Sequence, residues 1–295
     1  MVYDDQSARS DFGRQRRRHA VSRIAARLKQ EPDDVRDMLQ FEEVVAALGE
    51  KSRIDLGLQV IPLDSIVGTV GRRPREFDRA FRPTTDRLRD RWQRVATQRE
   101  SGTGMPPIDV YRIGELHFVE DGHHRVSVAR AKGDTTIEAH VKEVRTQVPA
   151  PKDLLARHLG LKRHERMFHQ RVPLAPEQRA QIQLSDEWRY AQLATLIEAR
   201  GFRQSHATGE LLSREDLARS WFEDQYLPIV AILRETGLGG EGTDTDRYLR
   251  FALLRYLLLY TTEWDDNVVE RLMEEVRAPR TDDDTLVHKI LKEMQ

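Results

Sequence analysis

Phe118-Val119-Glu120-Asp121-Gly122-His123-His124-Arg125 is the stretch on which the fold of this chain turns. A short apolar run leads into Asp-Gly, and a helical run from Val126 to Lys132 follows, ended by Gly133. That order puts the two histidines and Arg125 in the first turn of a helix fed directly by a strand. The first amides of an α-helix lack intrahelical acceptors, and the macrodipole adds partial positive charge there. A phosphate seated on them gains from both. Gly122 lets the backbone turn and a ligand approach closely. Asp121 suits a helix cap, Arg125 suits bidentate phosphate binding, and His124 offers a donor or a proton shuttle near neutral pH. Taken singly, an Asp-Gly turn and a solvated arginine are ordinary. Two histidines and an arginine in one turn mark a functional cluster.

Outward from this box the pattern is that of a compact α/β unit. Ile108 to Ile113 alternates like a half-buried strand, Gly114-Glu115 is a tight turn, and Leu116 to Val119 pairs back as a hairpin. Ile137 to Val144 alternates again as a closing strand. Upstream, Leu58-Gln59-Val60-Ile61 is a short strand and Pro62 to Ile66 a helical turn. Residues 77–99 predict an Arg-rich helical region with Phe77, Phe81, Leu88, Trp92 and Val95 as its apolar members.

A second phosphate candidate lies between these elements. Gly68 and Gly71 offer backbone N–H groups, and Arg72, Arg73, Arg75, Arg79 and Arg82 supply charge suited to a polyphosphate. The same residues also fit an exposed basic loop balanced by Glu76, Asp78 and Asp86. Asp64 and Asp78 are the acids best placed in sequence to act as a base or to bind Mg²⁺. With His124 they form the candidate catalytic set.

The flanks are helical in pattern. Residues 1–56 carry Arg14, Arg16, Arg17 and Arg18 ahead of Val21, Ile24, Ala25 and Leu28 at helical spacing. Pro32 suits the first turn of a second helix bearing Val35, Met38, Leu39, Val44, Val45 and Leu48, with Gly49 as its stop. Val148-Pro149-Ala150-Pro151 is a natural linker, and residues 148–295 predict a helical C-terminal domain centred on Tyr248 to Tyr260. Residues 1–30 carry eight Lys/Arg against three Asp, and residues 261–295 carry ten acids against five bases. A basic helix of this kind binds nucleic acid or lies on a neighbouring domain with its arginines in water.

Composition removes whole classes of chemistry. The absence of cysteine excludes disulfides, thiolate nucleophiles and thiol redox chemistry. Adjacent His123 and His124 lack an i+4 partner, and His158, His164 and His169 share no helix face, so no metal site is expected. Gly237 to Gly242 has no following Lys-Ser/Thr and is not a Walker loop. The N-terminus does not have the pattern of a signal peptide. The apolar run around Tyr256 to Tyr260 is far short of the ~20 residues a membrane span needs. A cytoplasmic protein with no membrane partner is expected.

Residues 57–147 resemble a ParB/sulfiredoxin-type domain. Leu58 to Ile66 resembles its opening strand and turn, Arg72 to Arg75 falls about where its Arg-bearing loop lies, and Phe118 to Arg125 through Gly133 resembles its strand–Gly–Arg–helix box. Partition proteins of this superfamily carry Gly-Glu-Arg-Arg, bind CTP and clamp DNA. Gly122 and Arg125 match that box, while Ser127 stands at its later arginine. Sulfiredoxins carry Gly-Cys-His-Arg. His124 and Arg125 match, but without cysteine their reaction is ruled out. The Asp-Gly-His-His-Arg form looks most like the free serine kinases of the superfamily, which phosphorylate a small molecule with ADP or ATP. The whole chain is also similar to bacterial ParB-like proteins with a helical C-terminal domain.

The resemblance implies an α+β protein: a central α/β domain between N-terminal helices (1–56) and a helical C-terminal domain (148–295). It implies a nucleoside di- or triphosphate (ATP, ADP or CTP), with Mg²⁺, held by Asp121, Gly122, His123, His124, Arg125, Gly71, Arg72, Arg73 and Arg75. Phosphoryl transfer to a small-molecule acceptor or nucleotide hydrolysis is the implied reaction, and a homodimer is a candidate assembly. The alternative expectation is a DNA-binding regulator using the basic helices.

Overall fold

The computed structural model describes residues 5–30, 37–71, 76–101, 104–262, 264 and 266–277. The chain is α+β and divides into two units, Met1–Arg163 and His164–Gln295. The first unit is built on one mixed sheet of six strands in the order β1-β3-β5-β4-β6-β2. Its elements in chain order are α1 (Asp5–Leu28), β1 (Leu39–Gln40), α2 (Phe41–Leu48), β2 (Glu50–Pro62) and β3 (Ile66–Thr69). They continue with α3 (Arg89–Glu100), β4 (Ile108–Ile113), β5 (Leu116–Asp121), α4 (His123–Lys132) and β6 (Thr136–Thr146). Strands β1, β3 and β5 run parallel. β4 is antiparallel to β5 and parallel to β6, and β2 closes antiparallel on β6.

Each face of the sheet carries its own core, because successive strand residues point to opposite sides. Phe118 faces α2, where Phe41, Val44, Ala47 and Leu48 pack with Val67, Ile113 and Leu116. Val119 faces α4, where Val126 and Ala129 pack with Ile66, Ile108, Val110 and Phe81. A further layer lies against α4: Val128 packs with Trp92 and Ala96 of α3 and with Ala8 and Phe12 of α1. Trp92 Nε1 donates to Ser127 Oγ at 2.9 Å, which satisfies both polar atoms inside this layer.

Several expectations need correction. The helical pattern over residues 1–56 breaks at β1 and again at Glu50, where β2 begins eight residues before the expected Leu58. Ile54, Leu56, Leu58 and Val60 recur at the strand period with Arg53, Asp55, Gly57 and Gln59 between them, so the alternation already runs ahead of Leu58. The expected start of the second helix at Pro32 lies outside the described residues; the helix present there, α2, begins at Phe41. Residues 76–85 are not helical. Phe77 bridges to Pro83 across a turn, and helix begins only at Asp86–Leu88 and α3. Pro83 disfavours the α conformation at Arg82 and stops a helix from running through.

Ile66–Thr69, where the sequence predicts a turn running into a glycine loop, is a fully buried strand. Gly68 is there for packing: a Cβ would lie 2.6 Å from Phe118 Cδ1, and on the other side it would strike the Leu39 carbonyl.

The second unit contains most of α5 (His158–Arg171), then α6 (Pro176–Arg179), α7 (Glu187–Thr208), α8 (Arg214–Trp221), α9 (Leu227–Thr236), α10 (Asp244–Leu259) and α11 (Asp266–Arg277). A π-turn, Phe222–Tyr226, joins α8 to α9. Its core gathers Trp221, Tyr226 and Tyr248, with Trp221 Nε1 donating to Tyr248 Oη at 2.9 Å. Among the described residues no helix is long and apolar enough to cross a membrane.

Candidate functional site

Parallel strands deliver their carboxyl ends to one edge of a sheet, and ligands of α/β folds favour that edge. Here β1 ends into α2, β3 ends into segment 70–76, and β5 ends into α4. Gly122 is the N-cap residue of α4, in the left-handed region at φ 105°. It presses on β4: a Cβ would lie 2.8 Å from Ile108 Cβ. The first helical bond is Val126 N–H to Gly122 O at 3.0 Å, so the amides of the preceding turn point out along the axis.

Asp121 does not cap this helix, which has no side-chain cap. Its carboxylate pairs with Arg125 four residues on. The Arg125 guanidinium also donates to the carbonyls of Pro106, at 2.8 Å, and Pro107. The arginine expected to meet phosphate is thus engaged within the chain, tying the start of α4 to the segment before β4.

His123 and His124 are both buried. His123 Nε2 lies 2.7 Å from Thr69 Oγ1, the last residue of β3. Its ring packs in a triangle with those of Phe77 and Phe81, whose centroids lie 6.3 and 6.1 Å from it and 6.2 Å from each other. His124 meets the Phe77 ring edge-on at 5.2 Å. Segment 70–76 therefore leaves from a contact with His123 and returns to contacts with both histidines. Arg72, Arg73 and Arg75 belong to this segment and lie outside the described residues. Gly71 is described, and its N–H donates to Glu42 Oε1 at 3.0 Å. Glu42 stands in the first turn of α2, and sequence alone gave no reason to select it among the chain's many acids.

Asp64 and Asp78 stand elsewhere. Asp78 is buried and organises the turn after it: Oδ1 accepts from the Ala80 and Arg82 amides at 3.0 and 2.9 Å. Its Oδ2 takes Arg82 Nε at 2.7 Å and contacts His19 Nδ1 of α1 at 2.9 Å. Asp64 is exposed in the 3₁₀ turn that precedes β3, at the opposite end of that strand from Thr69. Both acids line an open cleft of about 800 Å³, together with Arg79, Arg82 and Arg130.

Arg130 forms the wall of the cleft. It donates to the carbonyls of Ile66 at 2.9 Å, Arg79 at 3.1 Å and Leu63, and its guanidinium lies 5.2 Å from the centre of the Phe81 ring. Burial lowers its pKa, against the opposing pull of Asp78 and Asp64. Phe81 packs near both His123 and Arg130, and neither histidine nor Gly122 lines the cleft. The histidines, Gly122 and the ends of segment 70–76 come together; Asp64 and Asp78 form a separate group around the cleft.

Comparison of the chain with family models, with curated proteins and with solved structures returned no match.

Proposed function

We propose that this protein binds the phosphates of a nucleoside di- or triphosphate on the amides that open α4, with segment 70–76 against them, as a site for phosphoryl transfer or nucleotide hydrolysis. The observation that carries this reading is the anchoring of that segment. Thr69 before it contacts His123, and Phe77 after it contacts both histidines. The residues that flank the sequence of three arginines thus both meet the first turn of α4, and a basic sequence beside a helix N-terminus suits a polyphosphate. The chemistry of such a site is positioning and charge stabilisation, with Mg²⁺ accompanying the nucleotide. Arg125 supports the turn by holding Asp121, Pro106 and Pro107.

The regulator reading draws less support. On α1, Arg16 donates to Thr84 O, His19 contacts Asp78, and the Arg18 carbonyl accepts from Arg82, so part of the basic helix is spent on the 78–84 turn.

A thermal-shift screen with ATP, ADP, CTP and GTP, with and without Mg²⁺, tests the proposal. A nucleotide present at about a hundred times its Kd stabilises the fold by about 2.7 kcal/mol, which a melting curve resolves. At least one nucleotide is expected to raise the Tm of the wild type and not of the Arg72→Ala/Arg73→Ala/Arg75→Ala variant. No shift with any nucleotide, or an equal shift in the variant, contradicts it. Arg125→Ala is a poor probe, because it removes a structural tie along with a charge.

A further inference from the structure

Helix α1 is held to the fold by one line of its surface. Ala8, Phe12, Gln15 and Ala26 are buried along it, and His19 on the same line contacts Asp78. Residues three and four apart share a helix face. A second line at that spacing, Arg14, Arg17, Val21, Ile24 and Leu28, runs about half a turn away and is exposed throughout. Arg18 borders it on one side and Arg23 and Arg27 on the other, all three exposed. From Phe12 to Gln30 the sequence contains no acid. The side chains of Arg17, Arg18, Arg23 and Arg27 meet no carboxylate among the described residues.

The chemistry of this line selects its occupant. Arginines without acids attract an anionic surface, and they repel a second copy of the same line. Val21, Ile24 and Leu28 gain nothing from the water-covered phosphates of a duplex, whereas the acyl boundary of a bilayer buries them. Arginine stems lie along such a boundary while their heads stay with the phosphates. Among the described residues no helix is long and apolar enough to cross a membrane, but a helix lying on one needs only an apolar stripe. We infer that α1 is a surface anchor: the line from Arg14 to Leu28 lies on an anionic phospholipid membrane. Val21, Ile24 and Leu28 enter the acyl boundary, and the arginines hold headgroup phosphates. The buried line keeps the helix folded beforehand, so little ordering is left to be done at contact.

The test is co-sedimentation of the full chain with vesicles of phosphatidylcholine alone and of equimolar phosphatidylcholine and phosphatidylglycerol. Wild type is compared with Val21→Gln/Ile24→Gln/Leu28→Gln and with Arg17→Gln/Arg18→Gln/Arg27→Gln. Leu58→Gln/Val60→Gln removes two exposed apolar side chains from β2 and controls for general stickiness. Melting curves without vesicles establish that each variant is folded. The chain has no cysteine, so Ile24→Cys carries a single environment-sensitive fluorophore.

Wild type is expected to sediment with the anionic vesicles and far less with the neutral ones. Each arginine at an anionic surface is worth about fivefold, so the arginine variant should bind about a hundredfold more weakly. The apolar variant should lose at least about tenfold, and the β2 control should match wild type. The fluorophore at position 24 should shift to the blue on anionic vesicles only. A wild type that ignores anionic vesicles overturns the anchor, and its retention of random duplex DNA would reassign the line to nucleic acid. Full binding by the apolar variant, an equal loss in the β2 control, or an unshifted emission overturns it as well.

Discussion

Gly122 answers two demands at one position: a left-handed backbone and a close approach to Ile108. Strain at such positions costs about 1–3 kcal/mol, and overpacking adds to it. Gly122→Ala should therefore lose about 2–4 kcal/mol in chemical denaturation. In a double-mutant cycle Gly122→Ala should cost less in an Ile108→Ala background than in the wild type, because alanine lacks the Cγ2 that the new Cβ would meet. An unchanged denaturation midpoint would show that the turn is not under this constraint. The Gly122 requirement was legible in sequence, whereas the engagement of Arg125 was not. Its three acceptors include the Pro106 and Pro107 carbonyls, and only the fold brings these to it.

His117 gives a residue-level pH dependence. Burial, with Arg112 adding repulsion, pushes its imidazole down to about 4, and its Nδ1 is 2.8 Å from Ser65 Oγ. An exposed histidine in the unfolded chain titrates near 6.5. Between these values the unfolded state holds more protons, so stability rises with pH across the window. The contribution of neutral His117 is complete above about pH 6.5 and is lost as pH falls towards 4. The loss is on the order of 3 kcal/mol. Urea midpoints measured from pH 7 to pH 4 should fall less steeply in His117→Asn than in the wild type. Parallel profiles would contradict the shift.

At the scale of elements, α1 is the instructive case. The spacing of Val21, Ile24 and Leu28 marks a helix, yet these residues are 64%, 60% and 80% exposed. The buried face belongs to Ala8, Phe12 and Ala26, with Phe12 edge-on to Trp92 at 5.8 Å. Phe12→Ala should cost about 3–5 kcal/mol. Replacing Val21, Ile24 and Leu28 together with Gln should change stability by less than about 1 kcal/mol. Denaturation midpoints in the reverse order would restore the face suggested by spacing.

Elements with strong local punctuation were legible. The hairpin of β4 and β5 is set by Gly114-Glu115, and α4 is stopped by Gly133. Elements whose identity depends on partners were not. β3 is a four-residue strand whose glycine looks like a loop until β1 and β5 close around it. Segment 76–85 has helix-like apolar spacing that Asp78 and Pro83 override.

At the scale of the molecule, the α+β architecture explains why the candidate residues divide into two groups. The glycine turn, the histidines and Gly71 gather at the carboxyl ends of β3 and β5, where a parallel pair presents its ligand edge. Asp64 precedes β3, and the cleft it shares with Asp78 is lined by neither histidine nor by Gly122. Proximity in sequence could not make this distinction, because Asp64 and Thr69 are separated by one short strand that carries them to opposite edges of the sheet.

The central claim is that phosphate sits on the amides opening α4, and backbone amide NMR tests it directly. The full chain is titrated with whichever nucleotide gives the largest thermal shift, and the amide signals of His123, His124 and Arg125 are followed. The account predicts large shifts at these three amides and at Gly71, all saturating with one Kd. Unmoved amides at α4, with shifts confined to Asp64, Arg79 and Thr136 around the cleft, would contradict it.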